Sequence, residues 1–108
     1  MQENFRFSDE RFGDLQLLRY RLNGFETLST RQKAFIYFLS KATLSGRDIT
    51  TDQFGKYNLL IRKILEVVLT KYEGDRKQAD FKRLEIYLKR LWFSNGIYHH
   101  YGYEKFLP

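Results

Sequence analysis

A mainly α-helical fold of three to four helices is what this sequence predicts, and three observations predict it. Apolar residues recur at helical spacing in three separate stretches. A Ser-Gln capping box opens the first of them, and Gly or Asn breaks divide one from the next. The 108 residues are 43% hydrophobic and 30% charged, ordinary globular composition for a single helical segment over 1–108 with no internal boundary.

The stretch from Ser8 to Leu22 is the ambiguous entry. Ser8 can cap a helix with Asp9 and Glu10 in its first turn, but Phe12, Leu15, Leu17, Leu18 and Leu22 fit one face only partly. "LQLLRYRL" reads equally well as extended chain. Asn23-Gly24 breaks it. At Ser29-Thr30-Arg31-Gln32 the serine hydroxyl can accept from the Gln32 amide while Gln32 reaches back to the serine N–H. Phe35, Phe38, Leu39 and Ala42 then recur at i, i+3, i+4 and i+7, predicting a helix that ends near Gly46. "GRDITTDQFGKYN" reads as a loop, and the neighbours Arg47 and Asp48 as a solvated pair; a buried arginine pinning this loop is the sharper alternative.

The next helix is expected from about Tyr57 to Tyr72. Ile61, Ile64, Leu65, Val68 and Leu69 form a wide face, and Leu59, Leu60 and Val67 on the other side predict burial on more than one side. Gly74 is the expected left-handed C-terminal residue. Asp75 or Asp80 is expected to cap a last helix reaching Trp92, with Phe81, Leu84, Leu88 and Leu91 as its stripe and Asn95-Gly96 ending it. The twelve residues "IYHHYGYEKFLP" show no period, and the apolar Phe106-Leu107-Pro108 end suggests a truncated chain.

Aromatic residues make up 18% of the chain, ten Phe and eight Tyr, more rings than a small helical domain hides, so some are expected to face a partner. The net charge of +6 comes from scattered residues, which favours solvated helix faces over a nucleic-acid stripe. With no cysteine there is no disulfide or thiolate site. The polar N-terminus has no signal-like apolar run, and nothing approaches the roughly 20 apolar residues of a membrane span, so the cytoplasm is the expected location and no membrane partner is expected.

Chemistry by motif is sparse. His99 and His100 are the only histidines, and adjacent residues point apart in a strand and lie about 100° apart on a helix, so neither geometry aims both at one ion. No nucleophile elbow, phosphate loop or dinucleotide fingerprint is present. No catalytic or metal-ligating residue is therefore assigned. Tyr98, Tyr101 and Tyr103 beside Lys105, Lys89 and Arg90 offer a base-stacking platform. The plainer reading, which we favour, makes Trp92, Phe93 and Phe106 core and the tyrosines a boundary. On the residues alone, the first-ranked function is a small basic, aromatic-rich helical binding module for RNA or a protein partner.

Three runs carry a resemblance: "RFGDLQLLRYRLNGFETLSTRQK", "YFLSKATLSGRDITTDQFGKYNLLIRKILE" and "YLKRLWFSNGIYHHYGYEKFLP". Together they resemble the N-terminal part of dipeptidyl peptidase III, bacterial Bacteroides-type members in particular, from about Phe12 onward. The most specific piece is Ser94-Asn95-Gly96 followed by Lys105, Phe106 and Pro108. One departure is Tyr98, where bacterial members carry a third histidine, so no role can rest on a histidine there. The resemblance implies a two-lobed zinc metallopeptidase that removes dipeptides from the N-terminus of oligopeptides. It also implies that zinc sits on HExxGH and EExxxD helices. Neither motif occurs here, so the chain alone is expected to bind no zinc and to be inactive, lying in the lobe opposite the zinc helices. Its expected partners are the remainder of the parent enzyme and, through it, an oligopeptide. Nucleic acid is the weaker expectation. Asn95, Gly96, Tyr98 and Tyr101 are the candidates for contact with the peptide cleft. Alone, the segment is expected to be loosely packed and prone to associate.

Overall fold

The computed structural model describes residues 4–108. The described elements are β1 (Ser8–Phe12), β2 (Leu15–Leu18), α1 (Thr30–Ser45), α2 (Arg47–Gln53), α3 (Asn58–Lys71) and α4 (Ala79–Ser94), with a 3-10 turn at Phe25–Thr27. The fold is mainly helical with one small sheet. Two compact units divide it, one ending at Arg47 and one running from Asp48 to Pro108.

In the first unit, the entry is extended. β1 and β2 pair antiparallel, with Ser8 opposite Leu18 and Phe12 opposite Leu15 and a bulge between Ser8 and Arg11. Ser8 therefore starts a strand and caps no helix. Gly13, at φ 59°, supplies the left-handed residue that lets two residues join the strands. Phe12 is buried at 7% exposure.

The capping box at α1 forms as the sequence predicts: the Gln32 amide donates to Ser29 Oγ at 3.2 Å, and the Ser29 amide donates to Gln32 Oε1 at 2.9 Å. The helix ends at Ser45 with Gly46 as its cap residue. Its apolar side chains lie in water. Phe35 and Phe38 are each 67% exposed, and no residue of α1 is buried. Ahead of it, Leu22, Asn23, Gly24, Phe25, Leu28 and Ile36 line an apolar groove of about 320 Å³.

The second unit holds most of the core. Phe81, Leu88 and Leu91 are buried along one side of α4, as their spacing predicts, and Phe106 joins them. Leu84, predicted on the same stripe, is half-buried. Tyr72 stacks on Phe81 with centroids 4.6 Å apart, and the Arg76 guanidinium lies 5.2 Å from the centroid of the Phe81 ring.

Several local expectations are corrected. The stretch read as a loop contains α2, a short helix with a buried Thr51. Gly74 is not the residue that ends α3. Extended Tyr72 is the cap residue, and Arg76 closes the end by donating to the carbonyls of Leu69 (2.8 Å) and Tyr72 (3.0 Å). Neither Asp75 nor Asp80 is the N-cap of α4. Gln78 holds that place, Asp80 sits in the first turn, and Asp75 accepts from the Lys77 amide. Trp92 and Phe93, expected in the core, are 43% and 38% exposed.

On α3 the buried residues are Asn58 and Arg62, both polar, while Leu60, Ile64 and Val67 are more than half exposed. The wide apolar character of this helix is real. Its most apolar side faces water, and the packed side passes through an amide and a guanidinium.

Candidate functional site

A polar joint in the second unit gathers α2, α3 and α4. Arg62 is 4% exposed. Its Nη1 donates to Thr51 Oγ1 at 2.9 Å, its Nη2 bonds and ion-pairs with the Asp48 carboxylate, and its Nε lies 3.3 Å from Glu66 Oε1. That last contact lacks hydrogen-bond geometry, leaving the Arg62 Nε–H without a directed acceptor. The same Glu66 oxygen accepts from Trp92 Nε1 at 2.8 Å, so the indole holds the carboxylate in place. Coulomb attraction to two carboxylates offsets the desolvation of Arg62. Asp48, expected in a solvated pair with its neighbour Arg47, faces a buried arginine and pairs with Arg62 across two helices.

The Asn95-Gly96 turn is joined to this centre by packing. Asn95 adopts the left-handed conformation (φ 56°, ψ 31°) as the residue ending α4. The Gly96 amide donates to the Leu91 carbonyl at 3.1 Å, a 6→1 closure of the helix end. Gly96 (φ 156°) lies against the Asn58 carboxamide so closely that a Cβ on it would stand 2.7 Å from Asn58 Cγ and 3.2 Å from Oδ1, with Nδ2 nearer still. Gly55 touches the same amide, its Cβ position lying 3.0 Å from Nδ2. Asn58 is 1% exposed, and its Nδ2 has no hydrogen-bond partner among the described residues.

Beyond the turn the chain doubles back. Tyr98 and Lys105 form an antiparallel bridge, the His99 amide donates to the Glu104 carbonyl at 2.8 Å, and the Phe106 amide donates to the Ile97 carbonyl at 3.1 Å. Phe106, 5% exposed, is held edge-on by Tyr87 (5.3 Å) and His99 (5.4 Å). Burial raises the pKa of the Tyr87 hydroxyl above its usual value.

The four cleft candidates lie in this one segment, in different settings. Asn95 is half-buried and ends a helix, and Gly96 is buried under Asn58. Tyr98 is half-buried in the bridge, with the Lys105 ammonium 5.9 Å from its ring. Tyr101 is 70% exposed and stacks on His99 at 5.0 Å. Of the other platform residues, Tyr103 is 97% exposed.

His99 and His100 share Tyr101, which stacks on the first and meets the second edge-on at 5.2 Å; Phe106 also contacts His99, and Phe93 lies 5.1 Å from His100. Among the described residues, no group of three or more His, Cys, Asp or Glu stands ready for a metal ion. Sequence reading missed Arg62, Thr51 and Asn58. The available signals were the Arg62–Glu66 i, i+4 spacing and Asp48 in a polar, helix-compatible stretch. Among the described residues, no helix is long and apolar enough to cross a membrane. The chain matches no family model and no curated protein.

Proposed function

We propose that this chain is the N-terminal part of a zinc-dependent dipeptidyl peptidase that removes dipeptides from the N-terminus of oligopeptides, and that it supplies no catalytic group itself. Beyond the resemblance, one observation carries the reading: α1 buries none of its residues, and the outer side of α3 presents Leu60, Ile64 and Val67 to water. Apolar side chains in such rows are what a segment shows when further protein covers it. The polar joint and the Asn95-Gly96 turn suit a scaffolding role, holding helices and hairpin together. The zinc and its motifs belong to the remainder of the enzyme.

The test is to sequence the gene onward, express the whole frame and assay release of a chromogenic dipeptidyl amide. Activity that is lost on chelation and restored by zinc, with none from the 108 residues alone, is the expected outcome. A frame without HExxGH and EExxxD, or a zinc-loaded product that releases no dipeptide, refutes the proposal.

A second reading rests on Tyr101 and Tyr103, exposed on the hairpin that also carries Lys105: a stacking surface for single-stranded RNA. It requires binding to an oligonucleotide that weakens steeply as salt rises. Absence of binding at low salt eliminates it.

A further inference from the structure

The chain contains two Asn-Gly pairs, Asn23-Gly24 and Asn95-Gly96, and the fold treats them oppositely. Asparagine followed by glycine is the sequence most open to spontaneous loss of the side-chain amide, because the glycine nitrogen has no neighbouring side chain to shield it. Both pairs share that following residue. Their intrinsic reactivity in an unfolded chain is therefore similar, and any difference in the native protein belongs to the structure.

We propose that Asn23 is a site of spontaneous deamidation and isoaspartate formation in the folded protein, and that the fold protects Asn95. Asn23 is exposed in the turn before the 3-10 segment. A Cβ built on Gly24 meets nothing within 4 Å, and no hydrogen bond from the Gly24 amide exists among the described residues. The reaction has the room it needs. The Gly24 nitrogen loses its proton and attacks Asn23 Cγ. A Gly24 N–Cγ bond forms, the Cγ–Nδ2 bond breaks, and the amide nitrogen leaves as ammonia. Water then opens the cyclic imide: attack at Cγ gives aspartate, and attack at the main-chain carbonyl gives isoaspartate, which carries one extra methylene in the backbone.

At Asn95 the same nitrogen is engaged. The Gly96 amide donates to the Leu91 carbonyl at 3.1 Å, and Gly96 is buried against the Asn58 carboxamide. Attack there requires the end of α4 to open first. At Asn23 the product has a consequence, because that residue lines the apolar groove with Leu22, Phe25, Leu28 and Ile36. Deamidation places a carboxylate at the rim of this groove and, in the iso form, lengthens the chain leading into α1. It is an ageing reaction confined to the first unit.

The experiment incubates the full 108-residue chain in mildly alkaline buffer, native and in guanidinium chloride, and follows both sites by peptide mass spectrometry and enzymatic isoaspartate methylation. In denaturant the two sites should convert at similar rates. In the native chain Asn95 should slow by about tenfold or more while Asn23 stays within a few-fold of its denatured rate. The variant Asn23→Gln should abolish native isoaspartate formation. Conversion of Asn95 as fast as Asn23 in the native chain overturns the proposal, as does a native chain in which Asn23 is as protected as Asn95.

Discussion

Replacing Gly96 with alanine tests the join between the helix end and the centre of the second unit. The added methyl would lie 2.7 Å from Asn58 Cγ and 3.2 Å from Oδ1, inside contact distance. Asn58 is 1% exposed and also touches Gly55, so its amide has little space in which to withdraw. Overpacking of this kind costs roughly 1–3 kcal/mol. Holding a non-glycine residue at the positive φ of Gly96 adds on the order of 1 kcal/mol or more. A total loss of about 3 kcal/mol is expected, a large share of the stability of a small domain. The assay is denaturant unfolding of wild type, Gly96→Ala, Asn58→Ala and the double variant, read by far-UV circular dichroism and by the fluorescence of the single tryptophan. Removing the Asn58 amide should relieve the clash but not the backbone strain. The double variant should therefore be more stable than the sum of the two losses predicts, by about 1–2 kcal/mol. If Gly96→Ala unfolds within about 0.5 kcal/mol of wild type, or the two losses simply add, the close approach described for this turn is refuted.

Three further outcomes follow from the same structure. Arg62→Met should cost about 2 kcal/mol: breaking a buried pair is worth more, but the Asp48 and Glu66 side chains are 50% and 29% exposed and can regain water. Asp48→Asn should cost less, and combined with Arg62→Met it should be clearly non-additive in a double-mutant cycle; additive losses would deny the pair. Phe106→Ala should cost about 3 kcal/mol and release the hairpin, seen as faster hydrogen exchange at the His99 and Phe106 amides. The hydroxyl of Tyr87 gives a pH dependence. Its folded pKa lies above the ordinary 10.0, so beyond that pH the unfolded chain loses the proton first and stability falls until the folded form also ionises. Tyr87→Phe should flatten that part of the stability–pH curve, and an unchanged slope would contradict the burial of the hydroxyl.

The sequence exposed the parts of this fold that depend on apolar period. The start of α1 was legible because a capping box is a local, two-residue device, and Phe81, Leu88 and Leu91 were legible because burial on α4 follows a single stripe. The first strand pair was obscured by Ser8, whose side chain suits a helix cap, although Gly13-Asp14 between short apolar runs is a recognised hairpin signal. α2 escaped because polar contacts hold it: Asp48 and Thr51 reach Arg62, and polar anchors leave no periodic trace. On α3 the apolar count was right but the packed side was not. Periodicity marks a face that wants cover, and the side packed here centres on Asn58 and Arg62. The candidate turn was located from Asn95-Gly96, yet its tie to Asn58, 38 positions upstream of Gly96, is a tertiary contact that no local pattern announces. Gly74 misled for a similar reason, since Arg76 closes the end of α3 through its side chain.

The polar joint also bears on the order of events in folding. The Arg62–Thr51 and Arg62–Asp48 links join residues 11 and 14 apart, whereas Trp92 reaches Glu66 across 26 positions. Loop-closure entropy grows with chain separation, and contacts of short range tend to form sooner. The guanidinium can therefore gather α2 and α3 while α4 is still searching. The indole–carboxylate bond then marks the arrival of α4, so a stopped-flow trace at Trp92 times the docking of that helix, with the earlier closure silent to it.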